Sequence, residues 1–268
     1  MSKRCAIVGT APSWTRTPWD DPSLEIWSLN DAYLCRDGAG QGPRRADRWF
    51  ELHPLDKFVY RKRDQKIIFS NQIPPGHYVR PDGHIDWLKS QSKTIPVYLQ
   101  NEPPADWPAN ARRFPLEAIE TEFGVYWASG PSYMVALAIV EGYSEIHVYG
   151  IHLATEEEYV HQRPNFEFWL GIARGRGIKV VMADESPVLK HGWKYGYEPK
   201  PHKSEHPAMA TYQQAHQDRA QLLKQLAVWP RWKSKASKLD KLKRLEALEM
   251  DCQLLIQQSR ASSTVVAA

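Results

Sequence analysis

Residues 129 to 142 read Ser-Gly-Pro-Ser-Tyr-Met-Val-Ala-Leu-Ala-Ile-Val-Glu-Gly, and no other stretch limits the fold so tightly. Small residues and a proline open a helix here, and Gly142 stops it. The helix, Ser129 to Glu141, is apolar nearly all round. Such a helix cannot lie on a surface and must be buried against a sheet. A short strand, Glu145 to Tyr149, follows and ends in Gly150. A second helix is predicted over Asn165 to Arg174, with Gly175 and Gly177 as terminators, then a strand over Lys179 to Ala183. Helix, strand, helix, strand at this spacing means parallel strands joined by right-handed crossovers.

The first half of the chain supplies the remaining strands. Arg4 to Gly9 is a short apolar run, the mark of a strand buried on both faces. Leu24 to Leu29 and Asp47 to Leu52 are the second and third strands. Thr94 to Leu99 is the fourth, and Pro96 argues for an edge position because proline cannot donate to a ladder. Residues 54 to 92 read as a helical and irregular insertion with the character of a lid, and 101 to 115 as a Pro-rich loop. Residues 1–190 are therefore expected to form one α/β domain around an open, mostly parallel sheet.

Beyond it, 191–205 is a linker and 206–258 a basic helical extension. Pro230 divides the extension into helices at about 207–228 and 234–258, since proline breaks the helical ladder. Leu239, Leu242, Leu245 and Leu248 are expected to form the packing stripe of the second. Residues 259–268 are expected to be a disordered tail. No internal repeat is present.

Composition excludes several classes. Net charge is only +4, so the chain as a whole is no polyanion binder. Cys5, Cys35 and Cys252 are odd in number and lack a CxxC, which disfavours a disulfide framework or zinc site and fits a reducing cytoplasm. No run of about 18 apolar residues suggests a transmembrane helix, and the N-terminus reads as strand entry rather than signal peptide. Integral membrane contact is not expected.

Two loops carry the candidate chemistry. Gly9, Thr10, Pro12 and Ser13 follow the first strand, at the sheet edge where ligands of open α/β folds bind. The pattern is neither GxGxxG nor a Walker A loop. The second loop, Ser129, Gly130, Pro131, Ser132 and Tyr133, opens the buried helix. Helix N-terminal amides and the helix dipole attract phosphate. Ser129 is the expected cap, and the Tyr133 hydroxyl is one turn in.

In order, these pieces are a strand followed by Gly-x-x-Pro-Ser, a strand ending in Asn30, Ser-Gly-x-x-Tyr-Met opening a helix, and Gly-Tyr-x-Glu-Ile-x-x-x-Gly-Ile. They resemble the bacterial lipo-oligosaccharide sialyltransferases, which use a cytidine-monophosphate sugar. They also resemble a wider Rossmann-like group that holds archaeal-type hydroxymethylpterin pyrophosphokinases and motility-accessory glycosyltransferases. Residues 4–33 and 125–183, about a third of the chain, carry the likeness. It implies a Rossmann-like sheet and a nucleotide site formed by Gly9, Thr10, Pro12, Ser13, Asn30, Ser129, Gly130, Tyr133, Gly150 and Ile151. It implies inverting transfer from a nucleotide-sugar donor, with no metal or cofactor required. His161 corresponds to the family's general base, and Tyr159 and Arg163 are placed to hold the leaving phosphate. Two departures stand out. His152 replaces the usual acidic residue after Gly-Ile, and the helix-opening motif has one extra residue. His53, His152 and His191 are the other histidines considered for the base. The Glu156-Glu157-Glu158 run reads as a solvated loop, not a metal site.

Arg231, Trp232, Lys233, Lys235, Lys238 and Lys241 form a basic patch with an interleaved ring, a pattern suited to phosphate contact and base stacking on DNA. DNA is therefore a candidate acceptor, and self-association through the helices is the structural alternative. Two other functions remain open: a pyrophosphokinase, and a non-catalytic nucleotide-binding accessory protein of the kind phages encode.

Overall fold

A computed structural model describes residues 2–61, 73–154, 158–190 and 194–198, with 214–216, 218–219, 221–222, 241–250 and 252–253; the side chains of residues 158 and 159 fall outside the described set. Two compact units make up the chain, Met1–Lys190 and His191–Ala268.

The first unit is an α/β fold. Its strands are β1 (Arg4–Val8), β2 (Glu25–Leu29), β3 (Arg48–Glu51), β4 (Phe58–Arg61), β5 (Tyr78–Pro81), β6 (Val97–Leu99), β7 (Ala111–Arg113), β8 (Glu145–Tyr149) and β9 (Lys179–Met182). Seven of them make one open, all-parallel sheet in the order β7-β6-β3-β2-β1-β8-β9. β4 and β5 form a separate parallel pair. The chain leaves β1 in one direction through β2, β3, β6 and β7, then returns to β1's other side at β8. The gap between the ends of β1 and β8 is thus the topological switch point.

Helices are α1 (His84–Gln91), α2 (Leu116–Phe123), α3 (Gly130–Val140) and α4 (Arg163–Gly175). Ile7, Trp27, Leu29, Phe50, Ile146 and Val148 face α3 and α4 in the main core. Their strand neighbours face the other way, as a period of two requires. There Ala6, Val8 and Ile26 meet Trp14 and Trp19, while Trp49, Val97 and Leu99 meet Leu88 of α1. α3 has the sheet beneath it and α2 and α4 beside it, which is why it is apolar on every side.

Three expectations need correction. Residues 54–92, expected to be helical and irregular, also hold the parallel β4–β5 pair. β6 is not an edge strand, because β7 pairs with it through Val97↔Ala111. Pro96 lies just before the strand, where its carbonyl accepts from the Trp49 amide and no ladder donor is needed. The loop expected at 101–115 accordingly contains β7. The third and fourth strands and the two helices otherwise lie within three residues of their expected ends.

In the second unit, the described residues 214–216, 218–219, 221–222, 241–250 and 252–253 are helical. Leu242 is buried, Leu245 half-buried and Leu248 exposed, whereas Cys252 is buried. The expected three-residue stripe fails because an α-helix advances 3.6 residues per turn, so a strict spacing of three drifts off the packed face. Leu239, most of the basic patch and the tail at 259–268 lie outside the described residues. No described helix is long and apolar enough to cross a membrane.

Candidate functional site at the carboxyl rim

β1 and β8 end side by side, with Val8 opposite Tyr149. The chain then crosses itself at two glycines. The Gly9 amide donates to the Tyr149 carbonyl at 2.9 Å, and the Ala11 amide to the Gly150 carbonyl at 2.8 Å. A side chain at Gly9 would sit 2.5 Å from the Gly150 carbonyl oxygen. Gly150 has φ +66°, and its own Cβ would press into the Gly9 carbonyl. Both positions therefore need glycine.

Ser13 pins this crossing. Its Oγ accepts from the Gly150 amide at 2.9 Å and lies 2.9 Å from Nε2 of His152. Ser13 is buried, so its hydroxyl joins the two loops and is not open to a ligand. Burial lowers the pKa of His152, a shift opposed by Glu185 and reinforced by Lys190, so its imidazole is neutral at pH 7. The Gly9–Ser13 loop, expected to line the nucleotide site, does not offer its amides to a phosphate as a group. Those of Gly9 and Ala11 are used in the crossing, and Pro12 has none. Thr10 is exposed at the tip.

The mouth of α3 reaches the same rim. A Cβ on Gly130 would lie 3.3 Å from Leu29 Cδ1, at the carboxyl end of β2. At its other end the helix turns into Ser144, whose amide bonds Lys3 at the amino end of β1. α3 therefore runs antiparallel to the strands. Ser129 occupies the N-cap position, but its side chain makes no cap bond; its Oγ pairs with the Ser132 Oγ at 2.7 Å. The Ser132 amide goes to the Ser129 carbonyl and Pro131 lacks one, so Gly130 holds the first-turn amide that no helix bond uses. Tyr133 is half-buried, stacked on Trp127 at 4.4 Å, and desolvation raises its pKa. Asn30 sits at the same edge with φ +51°, a conformation asparagine tolerates. Its carbonyl accepts from Trp49 Nε1.

α4 also starts at this rim. Its last turn bonds Ile178, and the Lys179 amide reaches Ser144, at the amino edge. Asn165, wholly buried, ties the two helix mouths together: Oδ1 accepts from the Ala128 amide and Nδ2 donates to the Tyr126 carbonyl. Sequence reading missed Asn165, which looked like a helix start residue and nothing more. His161 is exposed, in a π-type turn over Glu158–Gln162. The Tyr159 backbone belongs to that turn; its side chain is outside the described set. Arg163 bonds Glu167 and the carbonyls of Pro187 and Lys190, so its guanidinium braces the loop after β9. Ile151 is buried, and its carbonyl accepts from Ser186. Among the described residues no three His, Cys, Asp or Glu side chains group as a metal site.

No known family profile matches this chain, and no curated protein does either. The chain is structurally similar to Campylobacter sialyltransferases across most of its length, at low sequence identity. The sialyltransferase CstII from Campylobacter jejuni, solved with the substrate analogue cytidine-5'-monophosphate, shares 15% identity, with 69% of this chain and 81% of that chain covered and a TM-score of 0.41. An apo alpha-2,3-sialyltransferase from the same organism shares 12%, covering 81% and 95%, with a TM-score of 0.40. Similarity this remote assigns neither substrate nor residue roles to this chain.

Proposed function

We propose that the protein is a glycosyltransferase that moves a sugar from a nucleotide-sugar donor. The observation carrying this reading is the convergence, at the β1/β8 switch point, of the Gly9/Gly150 crossing, Asn30 and the mouth of α3. Open α/β sheets bind ligands at such a crevice. The helix end supplies partial positive charge for a phosphate, and the motif order in residues 4–33 and 125–183 supplies the donor class.

In inverting transfer, donors already in place stabilise charge developing on the leaving phosphate. The Thr10 hydroxyl, the Gly130 amide and the Tyr133 hydroxyl are assigned that task, with Tyr159 beside them; Arg163, expected from the sequence to join them, is instead engaged by Glu167 and the loop after β9. His161 is the base that the sequence motif proposes. No metal enters this scheme.

A thermal-shift panel of CMP, CDP, UDP, GDP and ATP tests the reading. The preferred nucleotide, at 100 times its dissociation constant, is expected to stabilise the fold by about 2.7 kcal/mol. A flat response to all five would end the proposal. A shift with ATP alone, dependent on Mg²⁺, would favour pyrophosphoryl transfer instead.

The basic extension is proposed to hold a DNA acceptor. Lys241, exposed on the described helix, is the one patch residue within the described set. Retention on DNA is expected at low salt and should fall steeply as salt rises. Failure to bind at 50 mM salt would remove DNA from the proposal.

A further inference from the structure

At the end of β3, on the same rim, lies a polar cluster that the scheme above does not use. Glu51 is 0% exposed and receives five donors. Arg80 Nε and Nη2 reach its two oxygens at 2.8 and 3.0 Å. His84 Nε2 lies 2.9 Å from Oε2, while His53 Nδ1 lies 2.6 Å from Oε1. The His53 main-chain amide also reaches Oε1. Tyr33 stands behind, its hydroxyl 3.1 Å from His84 Nδ1. Because a carboxylate only accepts, His84 presents its N–H to Glu51 and takes the Tyr33 proton on the other nitrogen.

His53 differs from its neighbours. Its side chain is 26% exposed, and the ring packs 4.1 Å from Tyr78. Nδ1 has two competing partners, Glu51 Oε1 and Arg80 Nη2, the latter at 2.7 Å. A guanidinium only donates, so a proton on Nδ1 selects Glu51. Arg80 already holds Glu51 twice and the Val79 carbonyl once, so it does not depend on that nitrogen. With Nδ1 donating to a wholly buried carboxylate, Nε2 is the ring nitrogen left to accept a proton. A carboxylate that fixes the tautomer and steadies the imidazolium is the usual support of a histidine base. β3 is two strands from β1, about 10 Å along the rim at the ordinary spacing. β3 stands on the side of β1 opposite β8, with Glu51 tied to His84 of α1.

We infer that His53, oriented by Glu51, accepts the proton of the attacking hydroxyl in the proposed transfer. The inference rests on the transferase reading and replaces only His161 as the base. The acceptor oxygen bonds the anomeric carbon as its proton passes to His53 Nε2. The bond from that carbon to the phosphate oxygen breaks, and its electron pair leaves with the nucleotide. The imidazolium then returns its proton to water. Glu51 is a positioning residue, since it acts through His53.

Two measurements decide it. Ring ¹⁵N shifts of the unmodified protein report the tautomer without any substrate. A protonated Nδ1 and bare Nε2 are expected; the reverse tautomer, with Arg80 bonded to Nδ1, overturns the inference. Nucleotide release from CMP-N-acetylneuraminic acid then compares His53→Gln with His161→Ala. His53→Gln should lower kcat at least 100-fold with KM within about 3-fold, and free imidazole should restore part of the rate to His53→Gly. Loss in His161→Ala with near-normal His53→Gln overturns the inference while leaving the transferase reading intact. If the unmodified protein turns over no nucleotide sugar and shifts with no nucleotide, both fall together.

Discussion

Replacing Gly150 with alanine is expected to cost about 4 kcal/mol or more, among the largest single-residue losses in this chain. Two effects add. The residue holds φ +66°, which costs a side-chain-bearing residue about 1–2 kcal/mol. The new methyl would also press into the Gly9 carbonyl and come within 3.0 Å of the Trp14 Cβ. Both obstacles belong to the backbone or its first side-chain atom, so neither can swing aside. Gly9→Ala should behave alike, with its methyl 2.5 Å from the Gly150 oxygen. Gly171→Ala is the control. It sits in α4 with nothing within 4 Å, and should be neutral or gain up to about 1 kcal/mol from helix propensity. Urea midpoints at constant m give the comparison. A loss below about 1 kcal/mol at Gly150 would mean that the two loops do not cross as described, and the site built on them would go too.

Arg80→Ala should cost about 3–5 kcal/mol, because it strips the main counter-charge from a wholly buried carboxylate. Glu51 also sets an acid limit. Burial pushes its carboxyl up, but bonds from His53, His84 and Arg80 outweigh burial and hold it well below the ordinary 4.5. A carboxyl depressed in the folded state stabilises above its unfolded pKa. That contribution is lost as pH falls from about 4.5 towards the lower folded value. Stability measured from pH 7 down to pH 3 should therefore drop below about pH 4.5 in the unmodified protein and less steeply in Arg80→Ala. Parallel curves would show that Glu51 does not depend on the guanidinium.

The fold was readable because its strongest signals are local. The all-apolar α3, the runs at β1 and β8, and the glycines that end them announce a parallel sheet without any knowledge of partners. β7 was missed because it is three residues long, Ala-Arg-Arg, with both arginines exposed. A strand so short and polar has no period to detect, and only its ladder to β6 identifies it. The same blindness produced the error at Pro96: proline suggests an edge, but the ladder begins one residue later. The rim loops were found by their small residues, whereas the use of each donor was not. That the Ser13 hydroxyl faces Gly150 and His152, and that Ser129 faces Ser132 and not a helix amide, depends on contacts across up to 139 positions. The Glu51 cluster draws on residues 33, 51, 53, 80 and 84 and had one sequence trace. An acid at the end of the apolar run Arg-Trp-Phe-Glu should have been asked for its counter-ion.

The central place of β1 has a consequence for how the chain is made. Its second neighbour, β8, begins 141 residues later, at Glu145 opposite Arg4. A ribosome adding about 5–20 residues per second needs roughly 7–28 s to cover that distance. Throughout that interval Cys5, Ala6, Ile7 and Val8 present one unmatched flank to their surroundings, next to the glycine that the later crossing requires. The nascent polypeptide is thus most exposed to faulty association before α3 emerges, and a chaperone that shields early apolar segments would act on this stretch first.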